Sequence, residues 1–138
     1  AIRAGGRGDV SGSHIAWHAT NAKCYVPSPV LSGPFLFVAD DRGTANCFDT
    51  ATGERWWQER LGPHYSASLV AAGGLVYFLA DDGVMKLVKP GKTLEVVGEN
   101  ALGETTYTSP AISSGNLFLR GDQHLFAIGP APKAVAAK

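Results

Sequence analysis

Apolar residues in this chain come in short runs divided by turn-forming residues. The stretch 28–31 (SPVL) leads to a Gly-Pro turn at 33–34, and Phe35 to Ala39 (FLFVA) follows it. Asp40-Asp41-Arg42-Gly43 is turn chemistry, Thr44 to Phe48 (TANCF) is a third run, 49–53 (DTATG) is another turn, and Glu54 to Glu59 (ERWWQE) is a fourth run. The same order returns in 68–71 (SLVA), 75–80 (LVYFLA), 84–88 (VMKLV) and 93–97 (TLEVV). It begins again in 109–112 (SPAI), 116–120 (NLFLR) and 124–128 (HLFAI). Short runs bounded by Gly, Pro and Asp read as strands. No segment sustains a helical period with caps.

The order is a repeat, and subtraction shows its length. Trp17 and Trp57 are 40 residues apart, with Val97 another 40 on. Tyr25 and Tyr65, Asp9 and Asp49, Asp41 and Asp81, and Gly43 and Gly83 are each 40 apart. Ser28 and Ser68 are also 40 apart, and Ser109 follows 41 later; Leu61-Gly62 returns as Leu102-Gly103 after 41. Four strands in about 40 residues predict an all-β fold, a β-propeller built of four-stranded antiparallel blades.

The expected boundaries follow from the repeat. Residues 1–20 read as the outer two strands of a preceding blade, with 14–17 (HIAW) outermost. Residues 25–62 and 63–103 are whole blades, 104–129 an incomplete one, and 130–138 (PAPKAVAAK) a loose tail. This is a partial propeller, since closed propellers use about 4–8 blades. An open arc leaves blade faces and strand edges uncovered. Two remedies are expected: the chain is the C-terminal part of a larger propeller, or two copies exchange the N-terminal strand and close a six-bladed ring. Ala1 is not preceded by a basic-then-apolar segment, which reads as a mature form or a piece of a longer chain.

Composition narrows the function. Twelve Lys+Arg balance twelve Asp+Glu among 138 residues, so nothing electrostatic draws the chain to nucleic acid or an anionic membrane. Gly74 to Ala80 is too short to span a bilayer. Apolar residues at 45% argue against disorder, and 17 Gly with 8 Pro fit a turn-rich fold. Cys24 and Cys47 form no Cys-x-x-Cys pair and read as small buried hydrophobes or a lone thiol, ahead of a disulfide.

The stretch Cys47 to Trp57 (CFDTATGERWW) resembles the small-x-Asp-x-x-Thr-Gly-x-x-x-Trp signature of pyrroloquinoline-quinone-like β-propeller repeats. Its key positions fall on Asp49, Thr52, Gly53 and Trp57, and Trp17 takes the place of Trp57 one repeat earlier. The opening AIRAGGRGDV, HIAW at 14–17 and YVPSP at 25–29 are similar to bacterial propellers of this type, so the likeness covers about 1–129. The resemblance implies a place outside the cytoplasm. It also implies one of two functions: a non-catalytic scaffold like the lipoprotein of the outer-membrane β-barrel assembly machinery, or part of a quinone dehydrogenase that holds its quinone with Ca²⁺. The dehydrogenase features do not carry over. There is no adjacent Cys pair and no Glu/Asn/Asp set assignable to a metal. The second repeat has Lys89 for Asp and Val97 for Trp, and the third stops short of the signature.

No catalytic, cofactor-binding or metal-binding residue is therefore assigned. The Asp of Arg7-Gly8-Asp9 is expected in a turn like that of Asp49. His14 and His18 share a strand face without a third ligand. Asp40-Asp41 and Asp81-Asp82 read as hairpin turns, and Ca²⁺ would need more oxygen ligands. Gly5-Gly6-Arg7-Gly8 precedes no helix, and Ser66, Ser68 and Ser109 lack a nucleophile-elbow context. Binding is expected on the loop face, near Tyr25, Arg42, His64, Tyr65, Tyr107 and Arg120, although the repeat of Tyr25 in Tyr65 favours packing of both between blades. The expected partner is a protein or a second copy; a carbohydrate or other small ligand is a third possibility.

Overall fold

The structure, a computed structural model, describes residues 1–130. The expected tail lies outside the described residues except for Pro130. Among those described there is no helix, and so none long and apolar enough to cross a membrane. Three antiparallel sheets follow one another along the chain. The first blade is β1 (Val30–Ser32), β2 (Phe35–Ala39), β3 (Thr44–Asp49) and β4 (Arg55–Arg60), paired in sequence order. The second is β5 (Val70–Ala72), β6 (Leu75–Leu79), β7 (Val84–Val88) and β8 (Val96–Ala101). The third has β9 (Ala111–Ser113), β10 (Asn116–Arg120) and β11 (Leu125–Ile128), with β11 at one edge among the described residues. The fold is a partial β-propeller.

Alternation along the strands makes each blade two-faced, and the faces stack. Phe37, Ala39, Ala45 and Cys47 of the first blade meet Val76, Phe78, Ala80 and Val88 of the second. Phe37 and Phe78 pack edge-on, with ring centroids 6.4 Å apart. The opposite face of the second blade places Leu79 and Met85 against Leu119 of the third, with Tyr77, Leu117 and Phe126 beside them. The core is thus a pair of layers between blades. The starts of the inner strands are also tied: Ser28 N–H donates to Ser68 Oγ (3.0 Å) and Ser68 N–H to Ser109 Oγ (2.9 Å). These repeated serines are links between blades.

The structure shifts two sequence expectations. The fourth strand of the second blade runs over 96–101, not 93–97. Both whole blades carry a bulge in the third-to-fourth strand pairing, at Cys47/Phe48 and at Leu87/Val88. Cys47 pairs with Trp57, and Leu87 pairs with Gly98. Gly98, not Val97, therefore stands where Trp57 stands, because the 89–95 connection is one residue longer than 49–54. Leu87 moves into part of the room: its Cδ1 lies 3.0 Å from where a Cβ on Gly98 would sit. An apolar cleft of about 320 Å³ remains beside it, lined by Tyr77, Met85, Leu87, Leu117, Leu119 and Ile128 among others.

Over residues 1–20, where two strands are expected, pairing is limited to one bridge between Ile2 and Ile15. Hydrogen bonds from Arg3 N–H to His14 O and from Ala16 N–H to Ala1 O flank it, each 2.8 Å. Ten residues separate Arg3 from His14, too long a turn to continue the ladder tightly. Trp17 nevertheless docks like Trp57. Its indole N–H donates to Thr50 O (2.9 Å), while that of Trp57 donates to Gly91 O (3.2 Å) on the second blade. The Trp17 ring lies over Gly53, so close that a Cβ there would fall 2.5 Å from it.

Candidate functional site

One face of the arc carries the turns between second and third strands and the connections that enter each blade. A repeated aspartate joins them. Asp41 Oδ1 accepts the N–H groups of Tyr25 (3.0 Å) and Val26 (3.2 Å). Asp81 Oδ1 accepts Ser66 N–H (2.7 Å), while its Oδ2 accepts Ser66 Oγ–H (2.9 Å) and lies 2.6 Å from His64 Nδ1. Asp122 accepts the hydroxyl of Thr105. The turn backbone then reaches the next blade: Asp41 O accepts Tyr65 N–H (3.3 Å) and Asp81 O accepts Thr106 N–H (3.0 Å). All three aspartates therefore clamp the segment entering their own blade, and Asp41 and Asp81 also help seat the one after it. Asp122 escapes the sequence reading, although it lies 41 residues after Asp81.

Four other aspartates serve their own turns. Asp40 Oδ1 accepts the N–H groups of Arg42 (2.9 Å) and Thr44 (2.8 Å), and Asp82 Oδ1 accepts that of Val84 (3.0 Å). Asp49 Oδ1 accepts Ala51 and Thr52 N–H, and Asp9 Oδ1 accepts Ser11 N–H. Main-chain N–H bonds hold the carboxyls of Asp9, Asp41 and Asp49 below their ordinary value of 3.8. No group of three or more His, Cys, Asp or Glu could hold a metal among the described residues. His14 meets Ser13 Oγ (2.7 Å), and His18 is exposed.

For Asp41, the bond to Tyr25 N–H is the largest cause of its depression. Depression means that the clamp's contribution is complete above the ordinary value of 3.8 and is lost as pH falls through the lower folded value. The amide proton shifts of Tyr25 and Val26 are expected to stay constant from neutral pH down to about pH 4 and to titrate together below it. In Asp41→Asn the shared titration should vanish. A midpoint above 3.8, or its persistence in the variant, would contradict the clamp.

The six expected loop-face residues divide. Tyr65 is corrected from a binding residue to a core residue: it is 0% exposed and packs edge-on against Phe78, with centroids 6.2 Å apart. Desolvation pushes its phenol above the ordinary range. Tyr25, at the same repeat position, is 89% exposed and does not pack between blades. Arg42, His64, Tyr107 and Arg120 are exposed on successive parts of the face. Of the six, Tyr25 and Arg42 share a cleft of about 380 Å³. Asn21 to Tyr25 and Asp40 to Arg42 form its walls, and the strand residues Asn46 and Gln58 line it from below. Asn46 is 1% exposed, and its Oδ1 is buried without a hydrogen-bond partner. Sequence reading passes over it, because a single Asn inside an apolar strand carries no motif.

The cysteines also divide. Both are free: Cys47 is the buried hydrophobe and Cys24, exposed, is the lone thiol. Burial pushes the Cys47 thiol up to about 12, which leaves it unreactive at neutral pH.

No curated protein matches the chain. Among solved structures, BamB from Moraxella catarrhalis is similar in fold, with a TM-score of 0.62 at 19% identity over 73% of this chain. That likeness spans 32% of the solved chain, so this sequence corresponds to about a third of its length. The family described as outer membrane protein assembly factor BamB matches residues 9–131, nearly the whole repeat region. The chain thus belongs to that family of propeller repeat proteins.

Proposed function

We propose that this chain is a non-catalytic scaffold that binds a protein partner on its loop face, outside the cytoplasm, during assembly of outer membrane proteins. The observation that carries the reading is Tyr25 and Arg42 exposed at one cleft, on segments anchored by Asp41. Aromatic and Arg side chains on rigid supports make efficient interface anchors. The family description supports this class of partner and this compartment. The carboxylates of Asp40, Asp41 and Asp81 hold main-chain N–H groups.

The test is titration of the chain with an outer-membrane β-barrel protein diluted from urea, read by fluorescence anisotropy. Saturable binding is expected, weakened about tenfold or more when Tyr25 and Arg42 are both replaced by alanine, equivalent to about 1.4 kcal/mol. Pyrroloquinoline quinone with Ca²⁺ should leave the melting temperature unchanged. A saturable rise would favour the dehydrogenase reading instead. Absence of barrel-protein binding would overturn the scaffold.

A further inference from the structure

Each whole blade ends on its fourth strand, whose outer edge has no strand beside it among the described residues. Such an edge presents unpaired main-chain N–H and C=O groups, and natural sheets discourage further pairing there with charged side chains. β4 follows that rule. It carries Arg55, Glu59 and Arg60, and both guanidinium groups fold back onto carbonyls: Arg55 donates to Asn21 O (3.0 Å) and Arg60 to Pro63 O (3.2 Å). β8 breaks it. Val96 and Val97 are exposed, Gly98 has no side chain, and the one charge, Glu99, is matched by Lys86 at 3.5 Å. Two strands at the same place in the repeat thus have opposite edges, one charged and one neutral and partly apolar.

The surroundings of β8 suit an added strand. The cleft of about 320 Å³ lies directly alongside, since Asn100 and Ala101 of β8 line it together with Leu87, Leu117 and Ile128. It lies between two described blades, where Gly98 takes the place of the indole that packs between the first two. A strand added to β8 turns every second side chain toward the cleft and the others away. Main-chain pairing accepts almost any sequence, so the side chains decide. The cleft and the exposed valines select a segment that is apolar at alternate positions. Strands of membrane β-barrels have that pattern, with lipid-facing apolar residues alternating with lumen-facing polar ones.

We infer that the outer edge of β8 takes an added strand from an outer-membrane β-barrel protein, its main chain hydrogen-bonded to β8 and its alternate apolar side chains in the cleft. The inference rests on the class of partner proposed above and places a second contact away from the loop face.

The probe is acetyl-Thr-Val-Thr-Val-Thr-Val-Lys-amide. Its counterparts are acetyl-Val-Val-Val-Thr-Thr-Thr-Lys-amide, which has the same composition without alternation, and the first peptide with its central Val replaced by Pro, which removes a main-chain donor. The backbone amides of 55–60 and 96–101 are followed by ¹H–¹⁵N NMR on the whole chain. The alternating peptide should shift those of 96–101 saturably, with a midpoint at or below about 10 mM, and leave those of 55–60 in place. Each counterpart should bind at least about fivefold more weakly. Val97→Lys gives β8 a charge of the kind β4 carries. It should raise the midpoint at least about fivefold and leave the urea midpoint unchanged, since Val97 is exposed. Equal shifts at both strands, no shift, or an equal response to all three peptides overturns the inference. So does movement of the 96–101 signals with protein concentration alone, which would make a second copy the occupant. Nuclear Overhauser effects between 96–101 and 131–138 in the free chain would make its own end the occupant and overturn it as well. If the barrel protein loses affinity on replacement of Tyr25 and Arg42 but not with Val97→Lys, the scaffold stands and this assignment falls.

Discussion

Gly43→Ala should destabilise the chain by about 2–5 kcal/mol, against about 1 kcal/mol for Gly33→Ala, in urea unfolding at constant pH. Both glycines have positive φ, +92° at Gly43 and +58° at Gly33. They differ in what a side chain would meet. A Cβ on Gly33 meets nothing within 4 Å, so its cost is backbone strain alone. A Cβ on Gly43 would lie 1.9 Å from the carbonyl oxygen of Gly62, a backbone atom that no rotamer change can move. The approach is close because Gly43 O accepts the N–H groups of Leu61 (2.9 Å) and Gly62 (3.2 Å), which turns the chain out of β4 toward the next blade. Gly83 repeats the arrangement, with Glu104 O 2.1 Å from its would-be Cβ and Leu102 N–H donating to Gly83 O at 2.9 Å. Domains hold only about 5–15 kcal/mol of net stability, so this one methyl group threatens the fold. Equal losses in the two variants would mean that the turn and the connection do not meet as described.

That contact also shows what could be read from residues alone. Gly43 and Gly83 stand out by spacing, and spacing is enough to place a turn. It does not reveal that the turn is packed against a connection, because Gly62 and Glu104 carry no common side chain. Asp41 and Asp81 read as turn residues, yet their carboxylates bind a segment some 15 residues earlier. Asp122 was obscured by drift of the repeat from 40 to 41 and by its changed neighbours, Gly121 and Gln123. One inserted residue before β8 likewise moved the position equivalent to Trp57 from Val97 to Gly98.

Tyr25 and Tyr65 illustrate a deeper limit. Identical repeat positions predict identical surroundings, but burial depends on the neighbouring blade. Tyr65 sits between two sheets, whereas Tyr25 has no sheet before it among the described residues. The loop face was therefore legible as a region, but its composition was not. Asn46 Oδ1 stands without a partner where Lys86 pairs with Glu99 one blade on, a contrast visible only once the strand register is known.

Trp57→Ala should cost about 3–5 kcal/mol of global stability, in the range of large aromatic truncations in cores. The indole packs against the layer between the first two blades, with its ring centroid 5.9 Å from that of Phe37. Its N–H also satisfies Gly91 O. Alanine removes both, leaving a cavity and a Gly91 carbonyl with only the weak Cys47 thiol donor at 3.9 Å. Trp57→Phe separates the terms: it keeps much of the apolar area and loses the donor, an expected cost of about 0.5–1.5 kcal/mol from the hydrogen bond plus a smaller packing loss. Trp17→Ala deletes the same type of contact, but the segment it anchors has only the Ile2–Ile15 bridge behind it. Its effect should be local: the amides of Arg3 and Ala16 lose protection from hydrogen exchange while the urea midpoint moves little. The paired outcomes follow from position in the arc, since Trp57 joins two complete sheets and Trp17 joins one sheet to a short arm. A loss below about 1 kcal/mol for Trp57→Ala would mean that the blades are held together by something other than this indole and the layer beneath it.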